Sequence, residues 1–118
     1  MEGLKYDNKK LDWSLMPYKE LEEIMKVICY GAGKYQKYNW QKLENAHDRY
    51  FAACMRHLTA WKDGEVNDPE STLPHLAHAA TNLLFLIWFD NLDEMERKMS
   101  LDFETDISPP NTGRLMAA

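Results

Sequence analysis

The apolar positions of the chain fall into three helical patterns separated by polar turns. In the first, Leu21, Ile24, Met25 and Ile28 recur at i, i+3, i+4 and i+7, which places them on one face of an α-helix. Glu20, Glu22, Glu23 and Lys26 fill the remainder. Pro17 suits the first helical position, where its missing N–H costs nothing, and Gly31 and Gly33 are expected to close the helix. The second pattern runs through Phe51, Cys54, Met55, Leu58 and Trp61. Asn45 stands where a helix cap is expected, Asp48 follows in the manner of a capping box, and Gly64 ends the run. The third helix opens at Pro74 and passes through the wholly apolar block 83–89. A helix apolar on every side belongs in the middle of a bundle or at a subunit interface.

The connecting segments are equally marked. Residues 1–15 read as an irregular leader, 31–44 as a loop, and Glu65, Asp68 and Glu70 as an acidic loop turning at Asp68-Pro69. Residues 90–99 are charged and continue the third helix. From Glu104 onward, Pro109, Pro110 and Gly113 oppose regular structure. The expected organisation is one helical domain over 1–103 and an irregular tail over 104–118, either structureless or laid on a neighbouring subunit. No alternating strand pattern or internal repeat interrupts this, so the fold class is all-α.

Composition adds three constraints. A single domain of 118 residues leaves much of its apolar surface poorly covered, and 45% hydrophobic residues with seven methionines make self-association a natural remedy. A net charge of -5 argues against a general nucleic-acid coat, which would be basic. The block 83–89 is far shorter than the roughly twenty apolar residues that span a bilayer, so no membrane segment is expected. Cys29 and Cys54 lie inside apolar helical patterns, and residues 1–10 are polar, without the apolar core of a signal peptide. They read as reduced, buried thiols of a cytoplasmic protein.

Three clusters of side chains could carry chemistry. His75, His78 and Asn82 share one helical face at i, i+3 and i+7. Such histidines ordinarily satisfy hydrogen bonds beneath a loop, but here Glu65, Asp68 and Glu70 lie just upstream and must fold back toward them. Carboxylates suit hard divalent cations and imidazoles suit transition metals, so the mixed set points to Mg²⁺ or Mn²⁺. The second cluster is basic: Lys34, Lys37, Arg49 and Arg56, with His57 directly after Arg56. Lysine and arginine neutralise phosphate charge, arginine with a bidentate fork. The third is Tyr35, Tyr38, Asn39 and Trp40, whose rings could stack on a base or simply cover the core. The His47-Asp48 doublet suggests the metal-binding pair of HD phosphohydrolases, but that site needs a histidine further upstream and none precedes His47. The HD alternative is set aside.

Taken in order, Lys5-Tyr6-Asp7 through Lys10-Leu11-Asp12, Gly31-Ala32-x-Lys34-Tyr35, Asn39-Trp40, Arg56-His57-Leu58-x-x-Trp61, Gly64-Glu65 and His75-Leu76-Ala77-His78-Ala79 resemble the phage dATP/dGTP diphosphohydrolase family, MazG-like enzymes of the MazZ type. The resemblance covers about residues 5–90. It implies an all-α, MazG-like helical bundle completed by oligomerisation as a dimer or tetramer. It also implies metal-dependent hydrolysis of a purine deoxynucleoside triphosphate, dGTP or dATP, to the monophosphate and pyrophosphate in the cytoplasm of a phage host. Some members are linked to phages that replace adenine with 2-aminoadenine, where dGMP would feed synthesis of the modified nucleotide. General MazG proteins carry their ligands as Glu-x-x-Glu and Glu-x-x-Asp pairs, whereas the third helix here reads His75-x-x-His78. The carboxylates that remain are Glu65, Asp68 and Glu70 in the loop, or Glu20, Glu22 and Glu23 on the first helix. The loop set adjoins the histidines, so the expected metal ligands are Glu65, Asp68, Glu70, His75 and His78. Lys34 and Arg56 are expected on the phosphates, His57 and Glu70 as catalytic groups, and Asn39, Trp40 and Asn82 as substrate contacts. The alternative is a non-catalytic helical module for nucleotide binding or oligomerisation, for which the block 83–89 and the tail would be interface material.

Overall fold

The computed structural model describes residues 10–107, with side chains described as far as residue 102. Its elements in order are a 3-10 turn at Trp13–Leu15, helix α1 at Tyr18–Tyr35, a 3-10 turn at Asn39–Lys42, helix α2 at Ala46–Lys62 and helix α3 at His75–Ile107. Among the described residues there is no strand, as the absence of alternating apolarity predicts.

The leader is less irregular than its sequence suggests. Asp12 caps the first turn, accepting from the Ser14 N–H at 3.1 Å and its hydroxyl at 2.5 Å. Residues 5–9, which carry part of the family resemblance, lie outside the described residues. Pro17 directly precedes α1, but Gly31 and Gly33 do not close it. Neither adopts a positive φ, and a glycine inside a helix costs only about 1 kcal/mol against alanine. That cost is outweighed because the last turns of α1 reach the acidic loop, and the chain leaves the helix instead at Gln36, φ 120°.

Asn45 precedes α2 in the left-handed conformation, φ 58° and ψ 39°, and its side chain makes no capping bond. The expected cap fails because capping needs an extended backbone at that position, whereas Asn45 is using its tolerance of the left-handed region. Gly64 does end α2. Its φ of 107° belongs to glycine, and it lets Gly64 and Glu65 donate N–H groups back to Trp61 and Ala60 at 2.9 and 3.0 Å.

The acidic loop then doubles back on itself. Asp68 N–H donates to Leu73 O, and His75 N–H donates to Val66 O, each at 2.8 Å, around an antiparallel bridge between Asn67 and Pro74. This return carries Glu65 and Asp68 over the first turn of α3. That helix continues through residues 104–107, past the expected start of the irregular tail; the rest of the tail lies outside the described residues.

Helix α2 packs along α3 as the main helix pair, and α1 lies more lightly against α3. Small side chains line the close approach: Ala46, Ala77 and Ala79 are buried, and the Cys54 thiol points at Ala79 O, 3.7 Å away. Cys29, by contrast, is exposed, so only one of the two thiols is buried as expected. Further along, Trp40 stacks on Phe85 with ring centroids 3.9 Å apart and planes 4° from parallel, and meets Trp88 and Phe89 edge-on. The Tyr50 hydroxyl donates to Trp40 O at 3.0 Å, and burial pushes its pKa up to about 12.

Among the described residues no large side chain is fully buried. Phe51, Met55 and Trp61, expected on the apolar face of α2, are exposed at 58%, 41% and 41%, because no fourth layer covers that side. Leu76, Leu83 and Ile87 form a second uncovered stripe along α3. No described helix is long and apolar enough to cross a membrane.

The aromatic stack predicts that Trp40 is structural. Trp40→Ala is expected to lower unfolding stability by roughly 3 kcal/mol, read as a shifted urea midpoint. Phe85→Ala should act similarly, and the double variant should fall short of additivity. A Trp40→Ala variant as stable as the parent would show that the stack contributes nothing.

Candidate active site

The return of loop 65–74 and the start of α3 create one polar focus beside the middle of α2. Glu65 Oε1 lies 2.7 Å from His75 Nε2, and His75 Nδ1 lies 2.8 Å from His57 Nδ1. A carboxylate only accepts, so the Nε2 of His75 carries the hydrogen; in the neutral ring this leaves Nδ1 as a lone pair facing His57. Ligand atoms of His57, Asp68 and His75 all fall within 4.8 Å of one another. Two imidazoles and a carboxylate converging from α2, the loop and α3 form a donor set suited to a transition-metal ion. Glu65 behind His75 is the kind of outer carboxylate that fixes a ligating imidazole.

The remaining residues brace this group. Ser71 donates its N–H to Asp68 Oδ2 at 2.8 Å, and its hydroxyl lies 2.7 Å from His78 Nε2. The His78 ring stacks on His57, with centroids 4.4 Å apart and planes 8° from parallel. Glu70 turns the other way, accepting from Lys34 Nζ at 2.5 Å and from the Tyr30 hydroxyl at 3.2 Å. Tyr30 and Lys34 are one turn apart on α1, so both reach Glu70 only because the helix continues past Gly31 and Gly33.

Electrostatics follow this arrangement. Burial, then the neighbouring His78 and His75, hold the His57 imidazole below its ordinary value. Burial does the same to His78, against the opposing pull of Asp68. For Asp68, burial opposes ionisation, yet the hydrogen bonds from Ser71 and the nearby His78 and His57 bring its carboxyl below the usual range. Hydrogen bonds from Lys34 and Tyr30 hold Glu70 low, and Glu70 in turn raises Lys34. His57 and His78 are thus biased toward the neutral imidazole, and Asp68 and Glu70 toward the carboxylate, the forms that bind cations.

Several residues expected at the site stand elsewhere. Trp40 sits in the aromatic stack on Phe85, which is seven residues beyond His78, roughly 10 Å along the helix; Asn39 adjoins Trp40 in the exposed 3-10 turn. Asn82 is buried and donates to His78 O at 2.9 Å, so it braces the helix beneath the histidines. Arg56 is exposed, though its charge reaches His57. His47 pairs with Asp90 and Asp93 at 3.1 and 3.4 Å.

Residues 1–98 match the family model described as dATP/dGTP diphosphohydrolase, N-terminal. The chain belongs to this family. It is also similar to a dATP/dGTP diphosphohydrolase of Salmonella phage PMBT28, with 36% identity over 91 residues, which are 77% of this chain and 31% of that relative. The chain therefore spans about a third of the length of the curated relative it matches. No solved structure matches it.

For this member of the dATP/dGTP diphosphohydrolase family, two site residues had no role assigned by sequence reasoning. Ser71 stands three residues after Asp68, the offset at which a capping aspartate accepts a backbone N–H. Tyr30 precedes Lys34 by one helical turn, a signal hidden by expecting the helix to stop at Gly31.

The lowered imidazoles set a pH dependence. With folded-state values below the ordinary 6.5 or so, the unfolded chain takes up protons first on acidification. Their stability contribution is full above that value and is lost as pH falls below it. In chelator-treated protein, stability should be level near pH 7–8 and fall as the pH drops below about 6.5. His57→Gln should flatten the fall; an unchanged slope in thermal melts would remove His57 as a source.

Proposed function

We propose that this chain carries the reaction centre of a metal-dependent diphosphohydrolase acting on dGTP and dATP. The reaction is attack of water on the α-phosphorus with cleavage of the bond to the bridging oxygen, giving the nucleoside monophosphate and pyrophosphate. The observation that carries this reading is the convergence of His57, Asp68 and His75, backed by Glu65, on a chain of this family, with Lys34 held by Glu70 of the same loop.

The ligands proposed are His57, Asp68 and His75, a revision of the set expected from sequence. Glu65 moves to orienting His75, His78 to packing on His57, and Glu70 to holding Lys34. Two imidazoles favour Mn²⁺ over Mg²⁺. A bound divalent ion would supply charge to the phosphates and lower the pKa of water. Lys34, released from Glu70 by the incoming triphosphate, clamps phosphate oxygens. Arg56, without a side-chain partner among the described residues, is available to the outer phosphates. Asn39 and Trp40 are left out, because Trp40 is committed to Phe85. In a phage that replaces adenine with 2-aminoadenine, dGMP released here would feed the modified nucleotide.

A MazG-like bundle completed by a second copy accounts for the uncovered stripes on α2 and α3. That stripe also favours the second reading, a non-catalytic oligomerisation module. Such a module gives no reason for a Glu65–His75–His57 chain beside Asp68, so hydrolysis is preferred.

Incubation with dGTP or dATP and Mn²⁺ should yield the monophosphate and pyrophosphate. Asp68→Asn and His75→Gln should each reduce turnover by a hundredfold or more with the helical circular-dichroism signal kept. Release of inorganic triphosphate would mean a different bond is cut. Full activity in both variants would overturn the metal assignment, and nucleotide binding without turnover would favour the module.

A further inference from the structure

Between α1 and the doubled-back loop lies an open cleft of about 590 Å³, within the usual size range of small-ligand sites. Met25, Cys29 and Leu73 give it an apolar lining. Two of its other lining residues, Tyr30 and Ser71, also belong to the site: the Tyr30 hydroxyl donates to Glu70, and Ser71 holds Asp68 and His78. Glu22 and Lys26, one turn apart on α1, complete the lining. Lys26 makes a loose pair with Glu23 at 3.4 Å, and the Glu22 carboxylate has no partner among the described residues.

We infer that this cleft takes the purine base of the nucleotide, with Glu22 as the residue that favours guanine. The inference rests on the proposed hydrolysis for the position of the phosphates, and supplies the base site that Asn39 and Trp40 do not. The contiguity is direct: a nucleotide with its phosphates at Lys34 and the histidines runs past Tyr30 into the cleft. The purine faces meet Met25, Leu73 and the Tyr30 ring, a sequence-tolerant contact worth having for any base. The polar rim discriminates. Guanine offers two adjacent N–H donors, at N1 and N2, to an acceptor-only carboxylate, and its O6 and N7 accept from an ammonium group. Adenine presents a donor and an acceptor side by side, so one carboxylate oxygen of Glu22 would face a lone pair.

Cys29 reports on the cleft without any need for turnover. It is exposed, whereas Cys54 is buried and its thiol pushed up by that burial, so alkylation strikes Cys29 first. The probe is dGMP, compared with dAMP, on the full chain with Mn²⁺. Saturating dGMP should slow Cys29 alkylation by roughly tenfold, and Glu22→Gln should raise the dGMP concentration needed by about tenfold while shifting dAMP little. Met25→Glu, at a half-exposed helix position, should weaken both. Hydrolysis of dGTP without protection of Cys29 overturns the cleft and leaves the catalytic reading standing. Protection without hydrolysis does the reverse. Alkylation slowed by raising protein concentration but not by dGMP would mean that a second copy covers the cleft, and would overturn the inference. Wild-type dGMP affinity in both variants would also overturn it.

Discussion

The return of loop 65–74 onto the first turn of α3 is the constraint on which the rest of the structure depends. Its backbone bond from His75 to Val66 and the side-chain bond from His75 to Glu65 act on the same residue, one fixing where α3 begins and the other how its first imidazole is turned. Once His75 is fixed, His57 has a partner across the α2–α3 contact and Asp68 a position beside both. Gly64 makes the return possible, since only a residue at ease with φ 107° lets α2 end so abruptly. Backbone reversal, helix start and donor set are one local solution.

Much of the fold was legible because helical periodicity is a strong local signal. All three helices sit on the segments whose apolar spacing announced them. The misreadings share a cause, which is contact with residues distant in sequence. Gly31 and Gly33 look like a helix end until Glu70, from the loop, engages Tyr30 and Lys34. Asn45 looks like a cap, but capping depends on a backbone angle that the 3-10 turn before it does not supply. At the site, the grouping of Glu65, Asp68, His57, His75 and His78 was readable from order and family resemblance. The division of labour was not, because which nitrogen faces which oxygen depends on the crossing of α2 over α3. Trp40 shows the same limit: the Asn39-Trp40 pair sits next to Lys34 in sequence, yet Phe85 holds the ring in another part of the molecule.

The small residues between α2 and α3 have a cost as well as a use. Ala77, Ala79 and Cys54 let the helices approach closely enough for His57 to meet His75. The same closeness leaves little room for large side chains inside, and leucine, isoleucine and phenylalanine are displaced outward. An intimate helix pair that positions imidazoles and a surface rich in uncovered apolar side chains are two sides of one packing choice.

The Lys34–Glu70 pair has a consequence for how the molecule meets an anion. A bare lysine at a phosphate site would draw any polyanion and lose it again as salt rises. Here Glu70 already occupies the ammonium group, so under the proposed function an arriving phosphate would have to displace a carboxylate that is tethered and ready to return. Binding there would be an exchange of counter-charges, selective for anions that bring more than charge alone. The same tether would give a departing product a competitor that never diffuses away.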